Sequence, residues 1–178
     1  DSTATVATYL QGDELDLAVN FDFADTVLGA LQNSNTAALK FVIKYEFPRT
    51  QDILFATFLS NHDQNRVMSA LSGDVQKAKI AATILLTFPG VPYLYYGEEI
   101  GMSGTKPDED IRRPMQWTSW DNAGFSTAIP WRSPYSDYKT VNVATQFSDP
   151  QSLFNLYRNL IQLRNSTPAL QTGSLQAV

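Results

Sequence analysis

The chain has no cysteine and a single histidine, His62, in 178 residues. The first absence excludes disulfides, thiolate zinc sites and cysteine nucleophiles, and the second excludes any site built on paired histidines. No apolar run approaches the roughly 20 residues that cross a bilayer. The opening residues, DSTATVATYL, have neither the charged nor the apolar region of a signal peptide. These features predict a soluble chain, and a cysteine-free one suits an extracellular or a cytoplasmic setting equally. Thirteen basic residues against eighteen acidic ones give a formal charge of −5, with no basic run or stripe. A sequence-independent hold on phosphate backbones is therefore not expected, and neither nucleic acid nor membrane is predicted as a partner. With 43% hydrophobic residues, there is enough apolar material for one sizeable core.

LDLAVNFDF, residues 15–23, alternates apolar and polar positions strictly and predicts a strand. Helical spacing follows over 24–32 and 36–46, the second ended by Pro48. DILFATFLS, 52–60, is a near-continuous apolar run of strand length, as expected of a parallel strand covered on both faces. GDVQKAKIAATILLTF predicts a helix terminated by Pro89 and Gly90, and VPYLYY, 91–96, a short buried strand. From 101 to 148 no clean period survives; this stretch holds all three tryptophans and Pro107, Pro114, Pro130 and Pro134. Long aperiodic connections are functional or disordered, and the aromatic content here predicts order. A final helix is signalled by Asp149 as N-cap, Pro150 at the first helical position, and a stripe of Leu153, Leu156, Tyr157, Leu160 and Leu163. The order of elements predicts an α/β fold with parallel strands and crossover helices, three βα units in all.

Two of the three predicted strands end in polar clusters, one in Asn61, His62 and Asp63, the other in Gly97, Glu98 and Glu99. Carboxyl ends of strands form the rim of the active site in α/β barrels. Asn and Asp also shape turns, and a lone histidine is often a hydrogen-bonded structural group, so a purely structural turn fits the tripeptide as well. Metal binding by His62, Asp63 and Glu98 or Glu99 is one functional alternative. Glycosidic chemistry, with Asp63 and Glu99 as a carboxylate pair, is another. Trp117, Trp120, Trp131, Tyr135 and Tyr138 in the long loop offer faces on which sugar rings stack, or pack the loop on itself. Arg112 and Arg113 are a ligand-binding pair or a solvated, ion-paired surface feature.

FLSNHDQNR, GVPYLYYGEEIGM, DIRRPMQW and VNVATQFSDPQSLFNLYRNLIQLRNSTPAL, in that order, together resemble the carboxyl-terminal part of the catalytic (β/α)8 barrel of the α-amylase superfamily (glycoside hydrolase family 13). The nearest branch is that of the α-glucosidases and oligosaccharide hydrolases. The resemblance implies a retaining glycosidase, of a bacterial, soluble type, that acts on α-glucosidic linkages of starch-derived oligosaccharides or related α-glucosides. It implies that Asp63 is the carboxylate that favours the distorted, oxocarbenium-like sugar, and that His62 and Asn61 bind the same sugar's hydroxyls. It further implies that Arg66 lies near the site and that Arg112 or Arg113 approaches the substrate. Gly97 and Glu98 are assigned mainly to the structure of the rim.

The departures from the family pattern carry equal weight. The nucleophilic aspartate and the general-acid glutamate belong to earlier strands, and neither motif is present. The expected fold is a partial TIM barrel comprising βα units six to eight, with a long loop between strand eight and its helix. Residues 1–170 would be the carboxyl-terminal portion of the barrel, and 171–178 the start of a linker to a β domain. A closed barrel needs about 250 residues and rarely fewer than roughly 200. The chain is therefore expected to be a fragment, inactive alone, whose partners are an α-glucan or oligosaccharide substrate and the missing amino-terminal part of the barrel. No cofactor or metal is assigned here, although calcium is possible in the full-length enzyme. The alternatives are a non-catalytic amylase-like binding or partner domain, or Asp63 with Glu99 as a complete catalyst. The second would need their carboxylates roughly 5 to 9.5 Å apart.

Overall fold

Three short parallel strands carry the architecture of the computed structural model, which describes residues 3–41, 43–44 and 53–175. They are β1 (Ala18–Asn20), β2 (Phe55–Thr57) and β3 (Val91–Pro92), in the order β1-β2-β3. Ala18 stands opposite Phe55, Asn20 opposite Thr57, and Thr57 opposite Pro92. The Tyr93 amide extends the second ladder by donating to the Thr57 carbonyl at 2.7 Å. The parallel α/β arrangement matches the sequence expectation. Before, between and after the strands run α1 (Thr3–Ala7), α2 (Phe21–Gln32), α3 (Ala37–Phe41), α4 (Val67–Ala70), α5 (Val75–Thr87), α6 (Asp108–Ile111), α7 (Val143–Phe147), α8 (Leu153–Ser166) and α9 (Pro168–Thr172).

The described residues divide into two units, one drawn from 1–59, 81–93 and 161–178, the other from 60–80 and 94–160. In the first unit β2 is covered on both faces, as its near-continuous apolar run requires: every residue from Phe55 to Leu59 is buried. Phe21 and Phe23 of α2 reach Phe58 and Phe88 with ring centroids 5.1 and 5.0 Å apart. Gly90, just before β3, has φ 113°. A Cβ there would stand 2.7 Å from the Phe55 carbonyl oxygen, so the close approach of β3 to β2 requires glycine. The apolar stripe of α5 is Ala78, Ala81, Ala82, Leu85 and Leu86, all buried. Asp74 starts that helix by accepting from the Gln76 and Lys77 amides.

Several predicted boundaries are corrected. The alternating stretch 15–23 is a strand only over Ala18–Asn20, because the Asn20 side chain accepts from the Phe23 amide at 2.9 Å and starts a helix inside the pattern. The helix predicted over 24–32 accordingly begins at Phe21, and Leu15, Val19 and Phe21 of the apolar positions are exposed. Of the helix predicted over 36–46, Ala37–Phe41 is seen; Val42, Tyr45 and Glu46 lie outside the described residues. VPYLYY is not a buried strand: Pro92 ends β3, and Tyr93, Leu94 and Tyr96 are exposed. The last long helix starts at Leu153 rather than Pro150. Asp149 instead accepts from the Gln151 amide within a preceding turn, and the Ser152 hydroxyl caps the helix by accepting from the Asn155 amide.

Candidate functional site

The second unit contains Asn61, His62 and Asp63, which follow β2 in the chain, and the connection from 94 to 152. A tight turn sets their geometry. The Asn61 side chain accepts from the Asp63 amide at 2.8 Å, and the Asn61 carbonyl accepts from the Gln64 amide at 3.3 Å. An asparagine that bonds its own backbone two residues on is a self-contained turn, which commits the Asn61 oxygen locally. The turn leaves His62 and Asp63 with side chains 67% and 62% exposed and 3.4 Å apart between Nε2 and Oδ2.

Arg112 holds this pair from one side. Its Nε donates to the His62 carbonyl at 2.8 Å and its Nη2 to Asp63 Oδ1 at 2.7 Å. The same Nη2 reaches Asp108 Oδ2 at 2.7 Å, four residues back across α6. Lys106 hydrogen-bonds the Asp108 carboxylate, which is thereby held below the ordinary carboxylate range. Arg113 is directed elsewhere: it donates to Asp110 Oδ1 at 2.6 Å and to the Ser133 carbonyl at 3.0 Å, and lies over the Tyr135 ring. Arg132 shares Asp110 and, as its strongest partner, lowers that carboxylate's pKa. Of the two adjacent arginines, Arg112 alone touches the His62 and Asp63 turn.

Arg66 is 1% exposed. Its Nη1 donates to the Tyr96 carbonyl at 2.7 Å, and its guanidinium lies over the Tyr95 and Tyr96 rings at 4.6 and 4.7 Å. Burial lowers its pKa. So placed, Arg66 anchors the segment after β3 to the segment after β2 rather than presenting its charge to solvent.

Glu98 and Glu99 are not alike. The Glu99 carboxylate turns back on the backbone amides of Gly97 and its own residue. Glu98 is buried: Oε1 accepts from the Tyr157 hydroxyl at 2.7 Å, and Oε2 faces the Ser60 hydroxyl at 3.4 Å. Burial pushes the Glu98 pKa from its ordinary 4.5 up to about 8, against the opposing pull of those two hydroxyls. The folded protein therefore keeps a proton on Glu98 between 4.5 and about 8, where the unfolded chain has lost it. Stability from this group is complete below 4.5, falls as pH rises through that window and levels off above about 8. The slope is at most about 1.4 kcal/mol per pH unit. Urea denaturation between pH 5 and 8 is expected to show the loss in the wild type and a smaller one in Glu98→Gln; parallel curves would contradict it.

Among the described residues no three His, Asp or Glu side chains gather as a metal site would require, so the His62, Asp63 and glutamate ligand set is not assembled. No described helix is long and apolar enough to cross a membrane.

The long connection is ordered from within. Buried Gln116 donates to Asp137 and to the Val141 carbonyl, and buried Asn142 donates to the Tyr138 carbonyl and caps α7 by accepting from the Thr145 amide. Trp120 and Trp131 stand exposed, whereas Tyr135 and Tyr138 carry Arg113 and Lys139 over their rings. Two contacts of residues already singled out escaped the sequence reading. The Asp63 contact of Arg112 had a signal in the acid-to-arginine spacings of DEDIRR, Asp108 to Arg112 and Asp110 to Arg113. The Glu98 link to Ser60 and Tyr157 had none.

Residues 1–173 match the Alpha-amylase family model, described as the α-amylase catalytic domain. The chain is 34% identical over 184 residues to Alpha-amylase 3 of Dictyoglomus thermophilum, covering 100% of this chain and 36% of that protein. It is 33% identical over 162 residues to the oligo-1,6-glucosidase of Parageobacillus thermoglucosidasius, covering 68% of this chain and 29% of that one. The crystal structure of the α-amylase from H. orenii superposes with a TM-score of 0.81 at 33% identity, over 97% of this chain and 36% of that one. The chain thus spans about a third of the length of these proteins.

Proposed function

Because the chain belongs to the α-amylase catalytic-domain family, we propose that it is the carboxyl-terminal part of a retaining glycosidase acting on α-glucosidic linkages of oligosaccharides or related α-glucosides. It would supply βα units six to eight of the barrel, and the nucleophile and general acid would come from the remainder. The names of its relatives, an α-amylase and an oligo-1,6-glucosidase, support that substrate class. The unpaired outer edges of β1 and β3 among the described residues leave places where further strands of a barrel would add.

The observation that carries the reading is the exposed pair of His62 Nε2 and Asp63 Oδ2, held from one side by Arg112. A carboxylate and an imidazole presented side by side can take adjacent hydroxyls of one sugar ring. Hydrogen bonds to those hydroxyls that strengthen as the ring flattens and gains positive charge lower the barrier without forming a covalent bond. Asp63 acts in this way, His62 binds the same sugar, and Arg112 fixes the carboxylate. Asn61 shapes the turn that presents them, and Arg66 and Arg113 support the surrounding loops.

The isolated 178-residue chain is expected to release no aglycone from an aryl α-glucoside. Turnover by the isolated chain, abolished by Asp63→Ala, would overturn the division of labour proposed here.

A further inference from the structure

Burying a carboxyl group is costly unless its oxygens are bonded, and a position that needed only volume would be better filled by an apolar side chain. Glu98 is nevertheless buried, and its two oxygens face two different elements, Tyr157 of α8 and Ser60. Ser60 is itself buried and is the residue from which the Asn61–His62–Asp63 turn departs. Glu98 has little freedom of its own. It begins the single 3-10 turn Glu98–Ile100, bracketed by Gly97 at φ 80° and Gly101 at φ 73°, where side chains other than hydrogen are strained. A Cβ on Gly97 would collide with Met102, and one on Gly101 would meet Met68 at 2.6 Å. The carboxyl is thus held by its backbone and holds two others in turn.

We propose that Glu98 is a positioning residue for Asp63 and His62: it ties Ser60 to Tyr157 of α8 and so fixes the point from which the substrate-binding turn departs. The proposal rests on the reading of Asp63 and His62 given above. The groups facing Glu98 are Tyr157 on α8, Ser60 after β2, Glu99 in its own turn and Arg66 ahead of α4. Both hydroxyls can donate or accept, so they suit a neutral carboxylic acid, which offers one O–H and one free oxygen. A glutamine offers the same two functions. A leucine of similar size offers neither and leaves Ser60 and Tyr157 without partners.

The test compares Glu98→Gln, Glu98→Leu and Ser60→Ala in the whole enzyme, with kcat and KM measured well below the thermal midpoint of each variant. Glu98→Gln should keep kcat within about threefold of wild type, since both bonds can be remade. Glu98→Leu should lower kcat on the order of 10 to 100-fold with KM little changed, because displacing a reacting constellation by about 1 Å can cost two powers of ten. Ser60→Ala, a change too small to threaten folding, should lower kcat in the same sense. A folded Glu98→Leu with wild-type kcat, or a Glu98→Gln as damaged as Glu98→Leu, would overturn the proposal, as would an unaffected Ser60→Ala. Asp63→Asn separates the two levels. If it leaves kcat intact, the reading of the site fails and the proposal with it; if it disables the enzyme while Glu98→Leu and Ser60→Ala do not, the positioning role alone fails.

Discussion

Asp63→Asn in the whole enzyme is expected to lower kcat on the order of 10³-fold or more while leaving the protein folded. The size follows from the role. A group that interacts more strongly with the transition state than with the bound substrate appears in kcat, and about 4 kcal/mol of barrier corresponds to three powers of ten. The small structural effect follows from the surroundings. The Asp63 side chain is 62% exposed, and its ion pair is made with an Arg112 that is itself 37% exposed. Such pairs contribute about 1 kcal/mol or less. Asparagine keeps the shape, and the turn itself relies on the Asn61 side chain and the Asp63 amide, which the substitution leaves in place. Steady-state kinetics with a denaturation curve for each protein checks both parts; a kcat within tenfold of wild type would return the turn to a structural role.

Arg164→Met is expected to destabilise the protein by about 3 kcal/mol or more, the largest loss from any single change considered. Arg164 is buried, and its guanidinium donates to three backbone carbonyls: Leu86 at 3.0 Å, Phe88 at 2.9 Å and Gly90 at 2.5 Å. These carbonyls lie at and just beyond the carboxyl end of α5, where a helix has no further amides of its own to offer and carries partial negative charge. One cation therefore satisfies the helix end and the chain that leads into β3. Methionine fills much of the volume and donates to none of the three carbonyls. Lysine, a point charge without the fork, should recover only part of the loss. Urea unfolding of the three proteins measures this directly, and a loss below about 1 kcal/mol for Arg164→Met would contradict the role.

The parts of the fold that were legible in the sequence are those in which one signal had no local competitor. The apolar run Phe55–Leu59 is buried on both faces, as a central parallel strand must be, and the stripe from Ala78 to Leu86 follows helical spacing to its end. The misread boundaries are places where a side chain bonded to backbone overrode a hydrophobic period. Residues 15–23 alternate well, yet Asn20 satisfies the Phe23 amide and turns the chain into a helix halfway along. Asp149 and Pro150 look like a helix start, but the Ser152 hydroxyl takes the Asn155 amide and moves the start to Leu153. Tyr93, Leu94 and Tyr96 look like a buried strand because aromatic and aliphatic residues were counted without knowing that β3 ends at Pro92.

The site divides in the same way. That Asn61, His62 and Asp63 form a polar turn after β2 was legible, because the three residues are neighbours in the chain and follow its apolar run. Which arginine meets Asp63 was not, since Arg112 and Arg113 are adjacent and differ only in the direction the backbone gives them after α6. Arg66, expected near the substrate, is buried against the Tyr95 and Tyr96 rings, a packing that its local sequence did not announce. Glu98 was assigned to the rim, but its tie to Tyr157 could not have been read, because that partner is 59 positions away.

The central claim, that Asp63 binds the transition state more tightly than the ground state, is tested most directly by inhibitor affinity. The dissociation constants of a cationic, half-chair glucose analogue and of a ground-state glucoside are measured for the whole enzyme and for its Asp63→Asn variant. The analogue should weaken on the order of 10³-fold, in step with the fall in kcat/KM, while the ground-state ligand weakens by less than about tenfold. Equal weakening of the two ligands, or no weakening of either, would contradict the account.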